Sequence, residues 1–107
     1  MDTILLILVK NLYIYYKMNI NKVFVEFIGT FIFLSVILTT GEAIPIGLAL
    51  ATVIYFGGKT SGGHFNPAVS TMFLLKGTIN NTQYLGYVLA QLLGGITALH
   101  FNNTILT

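Results

Sequence analysis

The stretch "SGGHFNPAVS", residues 61–70, decides how the rest of the chain is read. It gathers two glycines, a histidine, an asparagine and a proline directly before another apolar run. Asn is among the favoured N-cap residues, and Pro is favoured at the first helical position. Asn66, Pro67 and Ala68 therefore predict a helix that starts here and ends near Lys76 and Gly77, over residues 67–76. Upstream, Gly62 and Gly63 open backbone conformations closed to other residues. The stretch reads as an irregular loop that hands over to a short helix. Nine or so helical residues rise only ~14 Å, so this piece enters a membrane and stops.

A membrane is what the composition implies. Of 107 residues, 55% are hydrophobic and 7% are charged. Soluble domains carry roughly 25% charged residues. The length allows one small domain. There is no cysteine, which excludes a disulfide framework and a thiolate metal site. A net charge of +2 is too small to argue for nucleic acid. His64 and His100 are the only histidines, so no metal site is expected. No nucleophile or acid–base constellation points to an enzyme, and no cofactor is implied.

Three apolar runs cover residues 23–38, 44–58 and 84–101. With their flanks they predict spans of about 22–41, 44–58 and 82–102. A spanning helix needs ~20 residues. The second run is short by that measure and suggests a tilted or partly extended helix. "TTGEAIP" before it reads as a turn, with Pro45 in the first turn of the new helix. Gly86, Ala90, Gly94 and Ala98 recur at every fourth position in the third run, a stripe that lets another helix approach closely. Gly47 and Ala51 make a shorter version in the second. The expected fold class is all-α integral membrane, with three transmembrane helices plus one re-entrant half-helix. Residues 1–21 are an N-terminal extension with two open readings. One is an interfacial helix with Tyr13, Tyr15 and Tyr16 at the headgroups. The other is a translation start at Met18.

The lysines predict the orientation. Lys10, Lys17 and Lys22 precede the first span, and Lys59 and Lys76 flank the quoted stretch. With three spans, all five fall on one side, which the positive-inside rule makes cytoplasmic along with the N-terminus.

Irregular backbone at membrane depth is tolerated only where protein buries it or a water-filled cavity meets its polar groups. That gives the loop a function. The carbonyls of Gly62, Gly63 and His64 are candidate acceptors facing a cavity. Asn66 caps the helix with its oxygen and offers its amide N–H to a passing molecule. The positive helix end repels cations and protons and lets neutral molecules pass.

"SGGHFNPAVS" closely resembles the first NPA loop of the major intrinsic protein family, the aquaporins and glycerol facilitators. Three other stretches agree in order and spacing. They are "EFIGTFIFL" from Glu26, "IGLALA" from Ile46 and "GYVLAQLLGG" from Gly86. The resemblance covers residues 22–101 and is closest to bacterial-type water channels. It implies half of an aquaporin fold. The family has six spans and two half-helices in inverted repeats, and residues 22–107 match a single repeat. The second NPA and the family's filter arginine have no counterpart here.

The resemblance also implies roles. Glu26, an expensive charge inside a span, would accept hydrogen bonds from the loop and brace it. Gln91 would support the loop as well. Ile46 matches the selectivity position on the second span, with Leu50 one turn on. Val69 and Phe33 match apolar pore-wall positions. Thr71 departs from the family's apolar residue, and its hydroxyl is expected to bond back to its own backbone. The partners implied are the lipid bilayer, water or a small neutral solute, and a second aquaporin repeat or a homo- or hetero-oligomer. Five lysines on one side argue against antiparallel pairing of two copies. The alternative is a truncated, transport-inactive fragment, or a membrane partner of a full-length aquaporin.

Overall fold

Asp2 opens the first helix, its carboxylate accepting from the Ile4 N–H at 2.9 Å. No glycine or proline occurs before Gly29, so nothing interrupts the i→i−4 ladder. Helix α1 therefore runs unbroken over Thr3–Thr40, 38 residues. The computed structural model describes residues 2–105, with Lys17 and Met18 described through their backbone alone. Met1 and residues 106–107 lie outside the described residues, as do the side chains behind the Lys17 charge and the Met18 start. Within the expected extension over residues 1–21, residues 3–21 form no separate element and are continuous with the first span as the first half of α1. At 1.5 Å per residue α1 rises ~57 Å, nearly twice the ~30 Å hydrocarbon core.

Only Gly41 and Glu42 separate α1 from α2, Ala43–Ser61. At 19 residues α2 is longer than the 15-residue run in the sequence, and it needs no extended segment to cross a bilayer. It continues through Gly57 and Gly58 because packing there compensates for their poor helix propensity. A Cβ on Gly57 would stand 2.7 Å from the Val25 side chain. Helix α3, Pro67–Lys76, is capped by Asn66 and stopped by Gly77. Helix α4, Asn81–Ile105, is capped by Asn80, whose side-chain oxygen accepts from the Gln83 N–H at 2.8 Å. Three of these helices, α1, α2 and α4, are long and apolar enough to cross a membrane.

Helix α1 is the central element, with α2 on one side and α4 on the other, and α3 packs on α4. The paired contacts show that α4 runs in the direction of α1. Gly86 meets Val23, Gly94 meets Phe27 and Thr30, and Gly95 meets Leu34. The small stripe is the seam: Ala90, Gly94 and Ala98 are buried, and Gly86 is partly so. A Cβ on Gly94 would come within 2.9 Å of the Phe27 carbonyl oxygen and 3.2 Å of the Phe31 nitrogen. Those are backbone atoms and cannot step aside. Gly47 and Ala51 do not repeat this role; both are exposed, and Gly47 has open space above it.

Gly94→Ala is expected to force α1 and α4 apart. Overpacking of this kind costs about 1–3 kcal/mol. Equilibrium unfolding in mixed micelles should show that loss, whereas Gly47→Ala should be near neutral.

Candidate functional site

Glu26 sits in α1 with no surface exposed. Both carboxylate oxygens are used twice. One accepts from the Ser61 hydroxyl at 2.7 Å and the His64 N–H at 3.1 Å. The other accepts from the Phe65 N–H at 2.7 Å and the Gln91 Nε2 at 2.9 Å. All four donors are neutral. Two belong to the loop backbone, one ends α2, and one comes from α4. A carboxylate so surrounded ties α1, α2 and α4 to the loop between α2 and α3. An unpaired buried charge would cost many kcal/mol. Hydrogen bonds to a charged group are worth about 1.5–3 kcal/mol each.

The network continues outward. Gln91 Nε2 also donates to Ser70 Oγ at 2.9 Å, and Ser70 Oγ lies 2.8 Å from His64 Nδ1. Gln91 Oε1 is buried without a partner among the described residues, so the amide is oriented by its N–H bonds alone. His64 is buried, stacked on Phe73 at 4.7 Å between centroids and edge-on to Tyr87 at 5.0 Å. The Tyr87 hydroxyl donates to the Ser61 carbonyl, and the Ser61 Oγ accepts from the Gly63 N–H at 3.1 Å. Thr71 donates to the Pro67 carbonyl at 2.8 Å. Its hydroxyl proton is thereby used, so the Tyr84 hydroxyl, 2.9 Å away, donates to it. Among the described residues no cluster of side chains fit to hold a metal occurs.

Phe65 is the strained residue. Its φ is +53° and it is 2% exposed. A left-handed backbone on an aromatic residue costs of order 1–3 kcal/mol. Two features hold it there. Its N–H makes one of the 2.7 Å bonds to Glu26. Its ring fills the notch left by Gly29, where a Cβ would fall 2.1 Å from the ring.

The result is a fixed position for Asn66. Its Oδ1 accepts from the Ala68 N–H at 2.8 Å, the expected cap, and its amide N–H groups remain on an exposed residue. Helix α3 rises ~15 Å from Lys76 to this end, and Gln91 lies about as far into α4. Both distances are half of a ~30 Å core. No described residue donates to the carbonyls of Gly62, Gly63 or His64. Gly62 and Ala68 are exposed, and Gly63 and Pro67 are partly so. Phe33, Ile46, Leu50 and Val69 keep part of their surface open.

The structure thus joins Glu26 directly to the loop, and Gln91 reaches it only through Glu26 and through Ser70 of α3. Ser61, Ser70 and Phe65 belong to the same cluster and were not singled out in the sequence. Ser61 and Ser70 bracket the quoted stretch, and Ser70 lies one turn after Asn66, which is the available signal. For Phe65, only its place between His64 and Asn66 hints at the strain.

Comparison with known proteins adds an independent finding. The profile of the family described as Major intrinsic protein matches residues 39–106. The chain is 41% identical over 87 residues to the glycerol uptake facilitator protein-like 6 of Lactiplantibacillus plantarum. It is 48% identical over 56 residues to the lens fiber major intrinsic protein of Gallus gallus, and 37% over 94 residues to aquaporin Z of Brucella melitensis. These alignments take in 73%, 52% and 74% of this chain. They take in 40%, 21% and 41% of the relatives, so the chain spans less than half of each. No solved structure gives a significant match.

Glu26→Ala is expected to strand the loop's donors. Each unsatisfied buried group costs about 1–3 kcal/mol. Amide exchange at His64 and Phe65 should accelerate strongly in this variant. Ser61→Ala removes one of the four donors and should change those rates far less.

Proposed function

The chain belongs to the major intrinsic protein family, and from that premise we propose that it forms half of a passive transmembrane channel for water or small neutral solutes. The observation that carries this reading is the position of Asn66. The N-terminus of α3 lies ~15 Å from its Lys76 end, a rise equal to half of a ~30 Å core, and keeps polar groups open there. The Glu26 network accounts for its rigidity.

Passage on this reading is single file. A permeating molecule loses its hydration at the constriction. It regains hydrogen bonds from the Asn66 amide and from the carbonyls of Gly62, Gly63 and His64. Ile46, Leu50, Val69 and Phe33 supply an apolar wall that binds nothing tightly, so the solute leaves again. The positive end of α3 disfavours protons and cations. Such filters work when binding is sufficient for entry and too weak to trap.

One half-helix makes one wall. The opposite wall comes from a second repeat, carried by a further stretch of chain or by another subunit. The lysines support an orientation with the N-terminus and the Lys59 and Lys76 ends on the cytoplasmic side. Lys59 ends α2 and Lys76 ends α3, beside the start of α4.

Stopped-flow swelling of proteoliposomes tests the reading. With the chain alone, permeability should equal that of lipid. With a second-repeat chain added, water or solute flux should rise without proton flux, and Asn66→Ala should reduce it. A rise in proton flux, or no flux in the assembled pair at verified density, would defeat the proposal.

A further inference from the structure

An apolar groove of about 500 Å³ lies between α1 and α4, away from the loop. Its deep end is lined by Phe24, Phe27, Leu89 and Leu93. Its other end is lined by Tyr15, Tyr16, Asn19, Thr82 and Gln83. Gly86 and Ala90 lie between, where the small side chains of the α4 stripe leave room. We propose that this groove holds one phospholipid of the leaflet on the lysine-rich side. Its acyl chain lies along α1 and α4, and its ester and headgroup region sits against Asn19 and Thr82.

Three observations single out lipid as the occupant. The first is facing. Phe24 precedes Glu26 by two residues, or ~200° around a helix of 3.6 residues per turn. Glu26 points at the loop, so Phe24 points away from it. A second repeat standing opposite Asn66 leaves the Phe24 end of the groove open, whereas Asn19, seven residues before Glu26, lies on the loop-facing side of α1. Phe24 is 61% exposed and Leu89 is 59% exposed. The second is length. Tyr15 to Phe27 rises ~18 Å along α1, and Thr82 to Leu93 rises ~16 Å along α4. One leaflet is half of a ~30 Å core, with the ester and headgroup region beyond it. The third is the chemical gradient. The polar side chains gather at one end only, where α4 begins, and tyrosines favour the membrane–water interface. Asn19 donates to the Tyr15 carbonyl at 3.0 Å, which leaves its side-chain oxygen and second N–H available. Thr82 is exposed. A transmembrane helix of a neighbouring protein would meet no such gradient over a single leaflet.

The chain contains neither tryptophan nor cysteine, so a single introduced tryptophan reports without background. Leu93→Trp places it in the deep end, and Ile96→Trp places it on an exposed part of α4 outside the groove. Each variant is held in dodecyl maltoside micelles, to which acyl-brominated phosphatidylcholine is added in rising mole fraction. The groove reporter should reach half-maximal quenching at a fraction about tenfold below that of the Ile96→Trp control. Adding Asn19→Leu and Thr82→Leu should bring the two curves together. Should circular dichroism show lost helix in that combination, Thr82→Leu alone, at an exposed position, gives the same reading. Coincident curves before the polar substitutions would overturn the proposal. So would a groove reporter that no lipid quenches, since protein would then cover it. Persistence of the difference after the polar substitutions would also overturn it. The readout is quenching and not flux, so this outcome is independent of the channel reading.

Discussion

The structure depends on one buried carboxylate. Glu26 has no exposed surface, and its two oxygens receive four hydrogen bonds from α2, the loop and α4. A charge in this position is among the costliest groups a membrane protein holds. That cost is what gives it ordering power. A loop that left its place would strand a charge in hydrocarbon, so the loop and the three helices hold together or fail together. An apolar residue could fill the volume, but it could not fix the direction of the His64 and Phe65 backbone.

Two kinds of packing serve this centre. Along the α1–α4 seam the driving force is close contact between backbones, which Gly94 and its neighbours allow. Around the loop the driving force is polar, because irregular backbone at depth must find partners. Phe65 belongs to both. Its N–H joins the polar cluster, while its ring locks into the glycine notch of α1. The strain at its positive φ is offset by those two anchors together.

Much of this was legible beforehand because it follows from local rules. Asn66 and Pro67 start α3, and Gly77 stops it, as capping chemistry dictates. Three spans follow from apolar length. The departures came where local signals are silent. The extent of α1 was missed because hydropathy falls across its polar middle while helix propensity does not. The extent of α2 was missed because its last turn, Lys59 to Ser61, is polar, so the apolar run ends before the helix does. Gly47 and Ala51 have the spacing of a packing stripe, but no helix lies against them among the described residues.

The sequence by itself determined the class of molecule, the start of the half-helix, and the identity of the two polar residues, Glu26 and Gln91, that need partners inside the membrane. These are consequences of what each residue can do alone. Tertiary structure alone decided which partners they take. Ser61 lies 35 residues from Glu26 and Gln91 lies 65 residues away. No local pattern encodes a contact over such separations. It arises when close packing of α1 with α4, and the chain's return through α2, bring four donors around one carboxylate.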